Sequence, residues 1–323
     1  MAERGVESAA DKAGAPPRMA PRLSGNALSW AALLLLVVIW GSTFAGISIG
    51  VETITPAWLV AGRLLSGAFF LAAWMILARV VRGRPSGSPS SRFTLRAALW
   101  FAVIGIAATM APFVLYAHAA ESVGTAVMAI CNGGTPFATV LMAHAFLNDR
   151  LTPRRFIGVL MGFAGLVVLV LPEFRDGGGA SLVGILLAIV GAWLYAVGNI
   201  ATRVAPRIEP VMSAFIIVAM GAVAALVYAA IMEPFPVNAG QASIIAMILL
   251  GALPTAFAMF VYVWLIRRAG PVFVSFTTYM SPLWATGLGV LFLGEQLLWS
   301  MVGALALILA GVAVANWRRP AKS

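Results

Sequence analysis

The 323-residue chain has one cysteine, two histidines and few charges, with Asp, Glu, Lys and Arg making up 10% of it. An average soluble domain is about 25% charged. Cys131 alone allows no intrachain disulfide, and its place inside an apolar run reads as a small packed residue. His118 and His144 are too few for a histidine-built metal cluster, so neither metal nor cofactor is expected. No glycine-rich phosphate loop ending in Lys-Ser or Lys-Thr is present, which excludes ATP as the driver. What the chain does have is apolar side chain: 62% of residues, with a mean hydropathy of +0.98. One water-soluble globule cannot hide that much, and a disordered chain would not carry it. The solvent for most of this chain is lipid.

A membrane-crossing helix needs about 20 mostly apolar residues. Ten such runs are present, at 30–50, 57–78, 95–117, 123–145, 156–171, 182–202, 211–232, 244–266, 271–293 and 297–317. Residues 1–26 read as a disordered cytoplasmic tail followed by an uncleaved first helix, and 318–323 as a second cytoplasmic tail. The net charge of +10 would suggest nucleic acid in a soluble protein. Here it reports topology, because cytoplasmic loops are enriched in Lys and Arg. Of the 21 cations, 19 lie in the two tails and in or at the edge of the connectors after runs two, four, six and eight, Arg96 standing at the edge of run three. The alternate connectors carry Glu52, Glu121, Glu173, Asp176, Glu233 and Glu295, with Arg175 as their one cation. The expected fold is an all-α integral membrane protein with ten transmembrane helices and both termini inside.

Shifted by 146 residues, segment 105–168 lies on 251–314 without a gap. Gly105 meets Gly251, Thr109 meets Thr255, Tyr116 meets Tyr262, Gly124 meets Gly270 and Pro136 meets Pro282. Asp149 meets Glu295, and Gly165 meets Gly311. The first two helices repeat more weakly, with Trp40 set beside Trp193 and Thr55-Pro56 beside Glu209-Pro210. Two five-helix units follow, at 27–172 and 180–317. An odd helix number turns the second copy upside down, and the charges agree: Arg150, Arg154 and Arg155 follow run four, while Glu295 and no cation follow run nine. Inverted repeats are typical of secondary transporters, whose halves rock around a site near the midplane.

Ile39-Trp40-Gly41-Ser42-Thr43-Phe44, then Thr55-Pro56 and Arg63, resemble the opening of EamA-type proteins of the drug/metabolite transporter superfamily. So do Thr135-Pro136 with Leu147-Asn148-Asp149-Arg150-Leu151-Thr152, and Ser281-Pro282 with Leu293-Gly294-Glu295-Gln296. Asn148-Asp149 stands where that family commonly has Gly-Glu, a conservative departure. The resemblance covers roughly residues 30–317. It implies a carrier of the bacterial inner membrane, often an exporter of amino acids or other small metabolites.

Arg63 is the one charge well inside a span, about 10 Å in from Pro56 at 1.5 Å per residue. A charge at that depth is a functional candidate, here for a substrate carboxylate. The structural alternative is an arginine that snorkels or ties helix carbonyls. Asn132-Gly133-Gly134-Thr135-Pro136 places two glycines and a proline near the middle of run four, and Pro282 is its repeat partner. Gly133, Gly134, Pro136 and Pro282 are the candidate hinges, with each proline freeing a carbonyl, of Asn132 and Thr278 respectively. Trp40, Ser42, Thr43, Tyr116, Asn132, Tyr195, Asn199, Tyr262 and Tyr279 join Arg63 as candidate substrate contacts, and Trp264 is a weaker one. Trp30, Trp58, Trp299 and Trp317 read as interfacial belt. His118 reads as an interfacial residue beside Glu121. Gly158 and Gly162 have the spacing for close helix approach, first within the molecule and alternatively in a homodimer.

No Asp or Glu lies well inside a span, which speaks against a proton-coupled multidrug exporter. A membrane enzyme would need clustered His, Asp, Glu or Cys in its spans. A receptor or scaffold sits poorly with an inverted repeat and so little extramembrane chain. The expectation is an alternating-access exporter of small organic metabolites, amino acids or their derivatives, with lipid as its surroundings and no nucleic-acid partner.

Overall fold

A computed structural model describes residues 27–82, 95–147, 151–176, 179–206, 210–269 and 276–316. The tails, the 83–94 connector, Asn148-Asp149-Arg150 and the side chain of Tyr279 lie outside the described residues. The described chain is helical, with no strand. α1 (Ala27–Gly41) and α2 (Thr43–Val51) form one interrupted pass, and α3 (Pro56–Arg82) the next. α4 (Leu95–Gly105) and α5 (Ala111–Ala119) flank a π-helical turn at Ile106–Met110. α6 (Thr125–Asn132) and α7 (Thr135–Leu147) share the following pass, before α8 (Pro153–Asp176). The second half runs α9 (Gly179–Val204), α10 (Pro210–Met232), then α11 (Gln241–Leu250) and α12 (Ala258–Ala269) around a π-helical turn at Gly251–Phe257. α13 (Phe276–Phe292) and α14 (Trp299–Asn316) complete it.

The local reasons are on the sequence. α3, α8 and α10 each begin on a proline, whose missing amide proton costs nothing at the first helical position. Gly124 and Gly240 stand at helix N-caps in extended conformation. Gly294, at φ 68°, turns the chain between α13 and α14, a conformation other residues rarely adopt. Seven stretches among the described residues are long and apolar enough to cross a membrane, and Met280–Phe292 and Trp299–Gly311 are shorter apolar helices.

Packing pairs each element of the first half with one of the second. α3 lies along α10 and α8 along α14. The remaining neighbours exchange: α1 packs on α12 and α13, while α9, which opens the second half, packs on α5, α6 and α7. Likewise α3 meets α11 and the second π turn, while α10 meets α4 and the first. This is the contact pattern of two copies related by a pseudo-twofold exchange. The core between them holds Leu59, Leu64, Tyr116, Met128, Ile130 and Ile308. Phe69, Ile76, Leu99, Phe146, Val223 and Ile231 are exposed on the outside, the distribution a lipid solvent requires.

Glycines set the closest approaches. A Cβ on Gly311 would stand 2.6 Å from the Gly158 carbonyl oxygen, and one on Gly165 2.9 Å from that of Ala304. Gly158 therefore faces α14, and a Cβ on Gly162 would run into the Phe137 ring of α7, so both glycines serve packing of α8 inside the molecule.

Candidate functional site

A cavity of about 620 Å³ lies between the halves. Its wall takes residues from both repeats but none from α4, α8, α11 or α14. The last helix of each half, α8 and α14, thus frames the bundle, and the site is built from the other elements apart from α4 and α11.

One wall is polar at a single point. Arg63, on α3, is 5% exposed. Its guanidinium carbon lies 3.7 Å from the centre of the Phe113 ring, a cation–π stack. Its Nε donates to Thr255 Oγ1 at 3.4 Å, and that hydroxyl donates to the Leu250 carbonyl at 2.9 Å. The second π turn carries Thr255, and the first carries Thr109, whose hydroxyl bonds to the Gly105 carbonyl. Both threonines line the cavity at repeat-equivalent places. Single π turns inside α-helices recur at functional sites.

A second wall is aromatic. Tyr116 stacks on Tyr195 with centroids 5.9 Å apart, and Phe44 and Phe113 flank this pair. The Tyr116 hydroxyl donates to Asn132 Oδ1 at 3.4 Å, which also accepts from Thr135 at 3.3 Å. Asn132 ends α6, and Gly133-Gly134 interrupt the pass before Thr135 restarts it. Asn199 reaches across from α9, its amide donating to Thr139 Oγ1 at 3.5 Å. Trp40 donates to the Pro254 carbonyl at 3.3 Å and tilts against Tyr262 at 5.5 Å.

Of the residues singled out from the sequence, Trp40, Thr43, Arg63, Tyr116, Asn132, Tyr195 and Asn199 line the cavity, with Gly133, Pro136 and Pro282. Three do not. Ser42 accepts the Trp284 indole N–H at 3.0 Å, Tyr262 backs Trp40 from behind, and Gly134 faces Leu166. One expectation needs correction. Pro282 does not interrupt its helix: α13 runs through it, whereas the Pro136 pass is broken, because the two glycines occur only there. Trp193, set beside Trp40 in the sequence, packs on Phe163 at 6.3 Å and is not among the residues that line the cavity. Trp264 is also turned outward, beneath Arg268. Phe44, Phe113, Thr109, Thr139, Thr255 and Thr277 line the cavity without having been anticipated. The 146-residue shift already matched Thr109 with Thr255, and polar identity in a repeat was the signal available.

Where α5 passes into α6, carboxylates close the bundle end. Glu295 accepts from the amides of Thr125 and Ala126 at 2.5 and 3.0 Å, at the positive end of α6. Glu233 accepts from the Ala57 amide at 2.9 Å. His118 lies between Glu121 at 3.1 Å, as expected, and Glu233 at 3.7 Å.

The EamA-like transporter family matches the chain twice, over residues 28–171 and 182–317. YedA of Escherichia coli (strain K12), called an uncharacterised inner membrane transporter, is 25% identical over 300 residues, covering 90% of this chain and 92% of its own. YoaV of Bacillus subtilis (strain 168), an uncharacterised transporter, is 23% identical over 87% of this chain and 94% of its own. A probable amino-acid metabolite efflux pump of Escherichia coli (strain K12) is 25% identical over 52% of this chain and 50% of its own. A solved crystal structure shares the fold with a TM-score of 0.60 at 22% identity, covering 90% of this chain and 98% of its own. Apolar helices, a twofold repeat and these relatives agree on a multi-pass protein of the inner membrane. The chain belongs to the EamA-like transporter family.

Proposed function

We propose that the protein is a secondary carrier, not an enzyme, that exports small organic metabolites by alternating access. In this reading ten helices cross the membrane as two inverted five-helix repeats, with both termini in the cytoplasm. The observation that carries it is the cavity itself. About 620 Å³ is room for a metabolite-sized solute, and the wall is drawn from both repeats. Rocking one repeat against the other would open such a site to each side in turn. The broken pass at Gly133-Gly134 supplies a place for that movement. The aromatic wall takes the apolar part of the substrate, and Arg63 takes its carboxylate. Amino acids or their derivatives are the class suggested by the named activity of one relative.

Efflux tests this. Purified protein is reconstituted in liposomes loaded with a mixed pool of amino acids and small metabolites, and each solute is followed by mass spectrometry. One chemical group is expected to leave faster than from protein-free vesicles, and Arg63→Ala is expected to slow it. Equal loss of every solute from both vesicle types, under imposed pH and voltage gradients alike, would sink the reading.

A further inference from the structure

Arg63 is the one charged side chain among the residues that line the cavity. Its Nε is used by Thr255 and its face by Phe113. Among the described residues no carboxylate pairs with it, whereas His118 has two beside it, Glu121 and Glu233. The acids that come nearest the bundle interior are engaged at its end, Glu295 on the α6 amides and Glu233 on Ala57 and His118. The two terminal nitrogens of the guanidinium, the fork that matches a carboxylate, have no protein acceptor among the described residues. A charge so placed is costly until something neutralises it.

We infer that the substrate itself brings the missing charge: it is a small organic anion with one carboxylate on an apolar body and no ionised amine, and its export is driven by the membrane potential. This rests on the carrier reading above and narrows it. With such a ligand the loaded site has zero net charge, the form that crosses a low-dielectric interior at least cost. A zwitterionic amino acid would leave the site at +1, since threonine and asparagine oxygens can receive an ammonium but cannot neutralise it. An amine would raise it to +2.

The two copies also set the shape. Gly251 packs on the Arg63 carbonyl, and its repeat mate Gly105 would place a Cβ 2.6 Å from the Ile217 carbonyl. Ile217 therefore holds in α10 the place that Arg63 holds in α3, and both line the cavity. One side offers a cation and its counterpart a branched alkyl, which suits a ligand polar at one end. The cycle balances: a neutral complex moves outward, the anion leaves, and the emptied carrier returns with Arg63 charged. Each turn moves one negative charge out, a direction that an inside-negative potential favours with no coupled ion.

Three probes of similar body and different charge separate the cases at neutral pH: N-acetylphenylalanine, phenylalanine and protonated phenethylamine. Binding to the purified full-length protein is read by thermal shift, and efflux of the first two from proteoliposomes under potassium diffusion potentials of either sign. N-acetylphenylalanine is expected to bind about tenfold or more tighter than the other two, as a charge-assisted fork contact requires. Its efflux should rise with the inside negative and fall with the inside positive. Arg63→Gln should lose about that tenfold, and Arg63→Lys should keep part of it. Equal or tighter binding of phenylalanine, efflux indifferent to potential, binding unchanged in Arg63→Gln, or binding of none of the three would each overturn the inference. If other solutes of the mixed pool still leave while these probes fail, the carrier reading survives alone. If no solute leaves under any gradient, both readings fall.

Discussion

Glu295 is enclosed by glycines on both sides. A Cβ on Gly124 would stand 2.8–2.9 Å from its carboxylate atoms, and one on Gly289 would press on the same group. The carboxylate fits because neither residue has a side chain, and it answers two amides that α6 cannot satisfy within itself. Gly124→Ala is expected to push the carboxylate off these amides and cost about 1–3 kcal/mol, the penalty of stranded buried hydrogen-bonding groups. Thermal unfolding in detergent would show it, and a double-mutant cycle with Glu295→Gln should be strongly non-additive, since both changes break one contact. Additive losses would mean that the glycine matters for another reason. The same scale explains what the sequence disclosed of the cavity. Arg63, Asn132 and Asn199 stood out because charge and amide are rare in apolar runs. Thr139 and Thr277 did not, because a threonine in such a helix can turn its hydroxyl on its own backbone, as Thr139 does on Thr135 at 2.9 Å, and then looks no different from a valine. Ser42 and Tyr262 sit on cavity-bearing passes yet point to neighbours, and side-chain direction is not written in composition.

At the scale of the element, irregularity was partly visible. Gly133-Gly134 announced the break between α6 and α7, since two residues without side chains weaken a turn that Pro136 already deprives of an amide. The π turns at Ile106–Met110 and Gly251–Phe257 were not visible, although they occupy repeat-equivalent places. A π turn widens the helix by one residue and needs no special composition, so only the matched Thr109 and Thr255 marked the spot. Glycine spacing, in contrast, was legible as close packing, with Gly158 of α8 set against Gly311 of α14 and Gly162 against Phe137 of α7. Gly311→Leu puts a branched side chain where the Gly158 carbonyl lies 2.6 Å from a Cβ. The two helices must separate, and overpacking of this kind costs about 1–3 kcal/mol or more. The expected outcome is a lower melting temperature with an unchanged oligomeric state by native mass spectrometry. A dimer lost with unchanged melting would instead assign the glycine stripe to a subunit contact.

For the whole molecule, the repeat register and the charge alternation came from the same sequence by independent routes, and the exchange of packing partners between the halves agrees with the first of them. Contacts related by a twofold do not by themselves say which ends face the cytoplasm; the proposed orientation rests on the cations and the positive-inside rule. Inversion makes a sharp demand on positions 146 residues apart. Thr152 and Leu298 are such a pair, both exposed, each at the start of the last helix of its repeat, where its carbonyl accepts the first amide bonds. If the copies are inverted, these matched positions lie on opposite sides of the membrane, Thr152 beside Arg154 and Arg155 in the cytoplasm and Leu298 beside Glu295 outside. The native Cys131 is buried and contributes little background to thiol labelling. Single Thr152→Cys and Leu298→Cys variants, treated in intact cells with a membrane-impermeant maleimide, should therefore differ: Leu298→Cys labels at once, and Thr152→Cys only after the cells are opened. Labelling of both from the same side would make the repeats parallel, and a parallel pair cannot present one cavity to the two faces by exchanging the roles of its halves.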